Sequence, residues 1–423
     1  MLRFLHAADI HLDSPLVGLD QYEGLPVKTL RQAGRKALEN LVSLAIRKRV
    51  RFVILAGDLF DGDWPDVNTG LFFVAQMARL QEHNIPVFVI SGNHDAANRM
   101  TRSLPYPRNV HMFPSDRPTS VRLDDVAVSL HGQSYPQSVV NENVARKYPP
   151  ADPSMLNIGL LHTGLDGREG HARYAPCTPD DLLRSRYQYW ALGHVHQRES
   201  VSTNPRTLIE FPGNIQGRHA RETGPKGCLI VHVDSDRTMK SEFHPLDVCR
   251  WARIEVDCNE VTRSEELQDL VKQHLEDALE EAEGRLLVAR IALTGACPLH
   301  NDLHAHRRHY RDELRAAALA VDANRLAIEK LEVRTQPTQD DAQTQTLGED
   351  ARSMIRQQAE MLKKHKNLAQ ELLGDESCKR LLDSLPRELR DYCDRLRDLS
   401  SEEFKAVLER AEAILECGTA EAE

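Results

Sequence analysis

Five short stretches carry side chains that bind metals or move protons. Asp9 and His11 stand one residue apart in "ADIH", and His194 and His196 repeat that spacing in "GHVH". Between them come Asp58 in "GDLFDGD", Asn93 and His94 in "GNHD", and His162 in "LLHTG". In extended backbone, residues i and i+2 point to the same side, so each pair can aim two donors at one point. A single H-x-H is as readily two ordinary loop histidines. Here, however, every stretch follows an apolar run that reads as a strand, and α/β sheets build their sites at strand C-terminal ends.

Asp9, His11, Asp58, Asn93, His162, His194 and His196 are more nitrogen and oxygen donors than one cation needs, and they suit two. A bridging carboxylate can hold two cations about 3.5–4 Å apart. Asp58 lies between the other donor sets in sequence and is the natural bridge. Imidazole, carboxylate and amide without thiolate favour Mn²⁺ or Fe²⁺, with Zn²⁺ or Mg²⁺ also compatible. Gly57, Gly92 and Gly193 precede donors where the chain must reverse. Such a metal pair clamps a phosphate and activates water for in-line attack on phosphorus. His94, beside Asn93, is then free to protonate the leaving oxygen or to stabilise transition-state charge.

The elements that must position these residues follow from the apolar pattern. "LRFLHAAD", "RFVILAGD" and "IPVFVISGNHD" read as buried strands, and residues 31–50 and 68–84 between them as helices. This βαβαβ run predicts a layered α/β sheet. Further strands in "VAVSLHGQSY", "LNIGLLHTG", "YQYWALGHVH", "TLIEFPGN" and "GCLIVHVD" have few helices between them and suit a second sheet packed on the first. "WARIEVDC", a helix over 264–283 and "RLLVARIALTG" predict a small separate domain from about Cys249. From about Asn301 the chain reads as charged helices, with a polar linker in "QPTQDDAQTQTLGED". The expected division is 1–248, 249–300 and 301–423.

The 423 residues allow two or three domains, and a net charge of −10 excludes a polybasic nucleic-acid coat. Eight cysteines without C-x-x-C pairs predict neither a zinc-thiolate site nor a disulfide framework, and a cytoplasmic setting is the simplest. No signal peptide or membrane span is read in the sequence, so no membrane association is expected.

In order, D-x-H, GD-x-x-D, GNHD, a lone strand-end His and GH-x-H resemble the motifs of calcineurin-like metallophosphoesterases over roughly residues 1–245. "LHAADIHLDSP", "AGDLFDGDWPD", "ISGNHD" and "FPGNIQGRHARETGPKG" are similar to DNA repair exonucleases of the SbcD and YhaO type, nearest the YhaO branch. The resemblance implies one metal on Asp9, His11, Asp58 and His196, and a second on Asp58, Asn93, His162 and His194. It makes His94 the catalytic histidine. Some relatives carry a second histidine three residues after the bridging Asp, where this chain has Asp61. The resemblance further implies a Mn²⁺-dependent DNA nuclease and a small domain that caps the site. C-terminal helices would dock on an SMC-like coiled-coil ATPase, and a homodimer is left open. A phosphodiesterase for nucleotides or other small phosphoesters, and a non-cutting scaffold for DNA or the ATPase, are the competing functions.

Gln216, Arg218, His219, Arg221 and Lys226 form a polar, partly basic loop with two readings, a DNA-backbone contact or a solvated hairpin connection. Asp61 and Asp63 read as caps of the loop after the second strand, Asp13 and Asp95 as partners of metal-bound histidines, and His131 as a satisfied strand-end histidine.

Overall fold

The computed structural model describes residues 2–14, 26–61, 67–97, 104–165, 174–202 and 206–338. The chain opens with β1 (Leu2–Ala7), α1 (Val27–Lys48), β2 (Val53–Ala56), α2 (Val67–Glu82), β3 (Val87–Ile90), α3 (Asn93–Ala97) and β4 (Val110–Met112). It continues through β5 (Thr119–Leu123), β6 (Val128–Gly132), β7 (Leu156–His162), α4 (Pro179–Arg184), β8 (Tyr189–Gly193), β9 (Glu199–Ser200), β10 (Leu208–Phe211), β11 (Gly227–Val233) and β12 (Met239–Pro245). Then follow β13 (Cys249–Asp257), α5 (Ser264–Glu281), β14 (Leu286–Thr294), α6 (His300–Ala305), α7 (Arg307–Asp322) and β15 (Leu326–Val333).

Two six-stranded sheets, ordered β12-β11-β1-β2-β3-β4 and β5-β6-β7-β8-β10-β9, carry the first 245 residues. The centre of each is parallel. Strand alternation decides what each face meets. Val53, Leu55, Val87 and Val89 pack on Leu38, Leu41, Phe73 and Met77 of α1 and α2. Ile54, Phe88 and Ile90 point the other way and meet Leu130, Ile158, Leu160 and Ala191 of the second sheet. The far face of that sheet, Leu161, Trp190 and Leu192, is covered by Leu182 of α4 with Tyr148 and Tyr187. Each such fully buried side chain contributes about 1.5–3 kcal/mol, so the scaffold beneath the strand ends is rigid. This is the two-sheet α/β sandwich flanked by helices that the sequence predicts. Among the described residues no helix is long and apolar enough to cross a membrane.

β13, β14 and β15 form a three-stranded sheet in that order. Here the structure differs from expectation. The run 306–335, read as helical, forms α7 and then turns. Asp322 accepts the backbone N–H groups of Asn324 and Arg325, and "LAIEKLEV" becomes β15 beside β14, with Leu326–Glu329 buried on both faces. Arg290 on β14 holds Glu329 on β15 through two hydrogen bonds of 2.9 and 2.6 Å. The boundary expected at residue 300 therefore falls inside one sheet. The tail helices expected beyond residue 338, and Asp63, lie outside the described residues.

By contact density the chain forms two compact units. The first comprises residues 1–256, 267–292 and 308–332 and holds both six-stranded sheets. Among the described residues the second comprises 257–266, 293–307 and 333–338. Within it the Ala296 N–H donates to Asn259 Oδ1 at 2.6 Å, and the Arg334 N–H to Leu293 O at 2.8 Å.

Candidate metal centre

The loops leaving β1 and β2 run side by side. Backbone N–H groups of Asp9, His11 and Leu12 donate to Gly57 O, Asp58 O and Leu59 O at 3.0, 3.0 and 2.9 Å, extending the parallel ladder past the strand ends. This register sets Asp9 and His11 beside Asp58. In the other sheet His162 and Gly193 are cross-strand partners, so His194 and His196 emerge beside His162. Asn93 and His94 open α3 after β3.

The backbone holds the carboxylates in place. The His194 N–H donates to both oxygens of Asp9 at 3.1 Å, and the His94 N–H to Asp58 Oδ1 at 3.0 Å. Glycine is required where these loops touch. A Cβ on Gly193 would lie 2.0 Å from Ala56 O, and one on Gly92 would lie 2.2 Å from Asp58 Oδ1.

Three groups of donors gather: Asp9, His11 and His196; His11, Asp58 and His94; Asp58, His162 and His194. Within each group the atoms lie within 4.8 Å of one another, and neighbouring groups share a residue. Asn93 Oδ1 joins them, 3.1 Å from His162 Nε2. His11 Nε2 and His196 Nε2 face each other at 3.1 Å. The imidazoles are oriented from behind. His162 Nδ1 bonds Ala56 O at 2.9 Å and His196 Nδ1 bonds Glu222 Oε1 at 2.7 Å, which leaves both Nε2 atoms aimed inward. Asp9, His11, Asp58 and His162 are all but fully buried. Buried carboxylates and imidazoles of this kind, with no thiolate among them, fit divalent cations.

The titration of the groups reflects this crowding. Burial, with Asp58 adding to it, pushes the Asp9 carboxyl up against the opposing pull of His196 and His162. Burial also works against the charged forms of Asp58 and His162, but their mutual attraction prevails. It holds Asp58 well below the usual carboxylate range and raises His162 to about 9. A cation held by His162 Nε2 would require that imidazole in its neutral form.

His94 lies apart from the most buried donors, with its side chain 42 % exposed. Its Nδ1 bonds Asp61 Oδ1 at 2.7 Å, and this bond raises its pKa. Asp61 also accepts from Ser14 Oγ and from Arg218 at 3.1 Å. Asp61 is thus the partner of His94 rather than a loop cap. Asp95 is not a histidine partner. It accepts N–H groups of Gly92, Leu59 and Phe60 at about 3.0 Å and ties the second and third loops together. Burial and the nearby Asp58 charge raise it to about 6. Asp13 pairs with Arg35 and Thr69 instead. His131 is satisfied by Ser120 and Asn157 and stacks on Tyr187.

The loop between β10 and β11 departs most from expectation. His219 and Arg221 are exposed and Arg218 is half-buried. Gln216 and Lys226 are buried and committed inward, Gln216 to Cys249 O at 2.7 Å and Lys226 to His196 O at 3.0 Å, so neither faces a DNA backbone. Glu222, unremarked in the sequence, is the carboxylate behind His196. Tyr174 stacks on the His194 ring at 5.3 Å.

An α/β sandwich with a cluster of Asp, His and Asn donors at its strand ends defines a metallophosphoesterase. Residues 2–198 match the calcineurin-like phosphoesterase family, and residues 251–336 match the middle domain of the metallophosphoesterase YhaO. The chain is 35% identical over 300 residues to YhaO of Bacillus subtilis, an uncharacterized metallophosphoesterase, covering 70% of this chain and 72% of that one. It is 28% identical over 249 residues to the DNA double-strand break repair protein Mre11 of Sulfurisphaera tokodaii, covering 55% of this chain and 60% of Mre11. It is 23% identical over 285 residues to a subunit of the nuclease SbcCD from Staphylococcus saprophyticus, covering 60% of this chain and 71% of that protein. This chain belongs to the calcineurin-like metallophosphoesterases and carries the YhaO middle domain. It is a metal-dependent phosphoesterase.

Proposed function

We propose that the chain is a DNA exonuclease that cleaves phosphodiester bonds with two divalent cations, Mn²⁺ first among them, in DNA repair. The observation that carries this is the set of interlocking donor groups sharing Asp58 and His11. Asp9, His11, Asp58 and His196 would hold one cation, and Asp58, Asn93, His162 and His194 the other. When bound, the cations neutralise the phosphate and make water nucleophilic near neutral pH.

The chain's own groups do the rest. Asp58 presents one oxygen to the His94 N–H and leaves the other toward His162 Nε2, 3.3 Å away. In its acid form His94 keeps one proton at Nδ1, held by Asp61, and its exposure lets Nε2 deliver the other to the departing sugar oxygen, leaving a neutral imidazole. Exposed His219 and Arg221 at the loop beside His196 suit a phosphate backbone.

DNA as substrate is favoured by the likeness to Mre11 and to the SbcCD nuclease. An SMC-like ATPase partner is proposed from the resemblance to nucleases of the SbcD type, with the chain from about residue 301 as its docking segment. The test is hydrolysis of end-labelled single- and double-stranded DNA with Mn²⁺, alongside a small phosphodiester, for the native chain and Asp58→Ala. We expect cleavage of DNA that Asp58→Ala abolishes together with bound metal. Cleavage of the small diester alone would refute the DNA reading.

A further inference from the structure

The loop from Gly213 to Lys226 is built more firmly than a surface connection needs. Glu222 is buried within it at 6% exposure, and burying a carboxylate is costly unless donors surround it. It accepts from His196 Nδ1 at 2.7 Å, Asn214 Nδ2 at 2.9 Å, the Arg218 backbone N–H at 2.7 Å and the Arg218 guanidinium at 3.3 Å. The other terminal nitrogen of Arg218 reaches Asp61 at 3.1 Å, and Asp61 holds His94 at 2.7 Å. One continuous path of charged hydrogen bonds thus runs from His196 through Glu222, Arg218 and Asp61 to His94.

The path is anchored at β13. Gln216 donates to Cys249 O at 2.7 Å and accepts from the Val248 N–H at 2.9 Å, while Trp251 Nε1 donates to Gly217 O at 3.1 Å. A solvated hairpin would need none of this.

We propose that Arg218 and Glu222 are positioning residues for phosphodiester cleavage, a strut that sets His196 at one end and, through Asp61, His94 at the other. This rests on the reading of the site as a two-metal phosphodiesterase. The guanidinium is suited to the task because its two terminal nitrogens serve two carboxylates, whereas a lysine ammonium offers all its donors from a single nitrogen.

The experiment pairs Mn²⁺ titration calorimetry on the full chain with hydrolysis of two thymidine phosphodiesters. One ester releases p-nitrophenolate, a good leaving group, and the other is a dinucleotide that releases an alkoxide. Glu222→Gln should weaken Mn²⁺ binding by about 10–100-fold at one of two sites, the usual effect of losing a carboxylate behind a ligand histidine. Glu222→Asp, which retracts the carboxylate but keeps its charge, serves if the amide variant is unfolded by circular dichroism. Arg218→Lys should keep Mn²⁺ affinity but lose at least ~10-fold more activity on the dinucleotide than on the nitrophenyl ester, because only the alkoxide needs the His94 proton. Equal losses on the two esters, or an unchanged Mn²⁺ isotherm for the Glu222 variant, would overturn the strut. A native chain that binds Mn²⁺ yet cleaves neither ester would instead refute the phosphodiesterase reading, and the calorimetry would still decide the role of Glu222.

Discussion

Replacing Asp61 by Asn tests how His94 is made into a proton donor. The Asp61 carboxylate bonds His94 Nδ1 at 2.7 Å, and this bond is the largest influence raising the imidazole above its ordinary 6.5. The acid form of His94 is the one that can protonate a leaving oxygen. A raised pKa therefore keeps the donor loaded to higher pH, and activity declines as pH rises through it. Asp61→Asn removes the charge but preserves shape, and His94 should fall back toward its ordinary value. At pH 8 a histidine with a pKa of about 6.5 is only about 3 % protonated, so protonation alone can lower the rate by up to ~30-fold. Near pH 6 that contribution should almost vanish. The assay is the pH profile of kcat/KM on the dinucleotide with saturating Mn²⁺, and the alkaline limb should move to lower pH. A variant whose limb stays in place, or whose loss is uniform across pH, would show that Asp61 does not load His94.

His94→Ala should retain its metals by elemental analysis while turnover falls by ~10²–10⁴-fold, and metal loss in parallel with activity would make His94 a ligand instead. Gly193→Ala should lose metal and roughly 1–3 kcal/mol of stability in urea melts, since its Cβ would sit 2.0 Å from Ala56 O and 2.8 Å from His162 Nδ1. Gly34→Ala in α1 meets nothing within 4 Å and should stabilise slightly, so equal behaviour of the two variants would contradict the packing argument. Burial depresses His6 to about 3, below its unfolded 6.5, so its contribution is complete above pH 6.5 and is lost as pH falls from there toward 3. The expected loss is about 2 kcal/mol between pH 7 and pH 5, and denaturation of His6→Gln at both values should show a correspondingly flatter dependence.

The donors are legible in the sequence because each needs a particular atom at a strand end. Asp9, His11, Asp58, Asn93, His162, His194 and His196 announce themselves by type and by the apolar run before them. The groups that orient them do not. Glu222 lies twenty-six residues after His196 and reaches it only because the β10–β11 loop folds back. Asp61 follows Asp58 as any loop carboxylate would, and its bond to His94 depends on the ladder between the first two loops. Gln216 and Lys226 read as surface polar residues because sequence shows composition and not which way a side chain turns. β15 is hidden for a related reason. "LAIEKLEV" has residues acceptable to a helix and no strict alternation, and only β14 beside it supplies the partner that makes it a strand.

The backbone at the donors shows how the fold brings them together. Asp9, His11, Asp58 and His194 have φ values of 51°, 44°, 51° and 98°, a region that side-chain-bearing residues seldom enter. Such a conformation costs on the order of 1–3 kcal/mol per residue. Glycine would remove that cost and with it the donor, so the strain belongs to the chemistry. What sustains the strain is visible underneath. The ladder bonds from Asp9, His11 and Leu12 hold the first loop to the second, and the His194 N–H on the Asp9 carboxylate ties the first sheet to the second. Beneath them lies a core in which Ile54, Ile90, Leu160 and Ala191 are fully buried between the sheets.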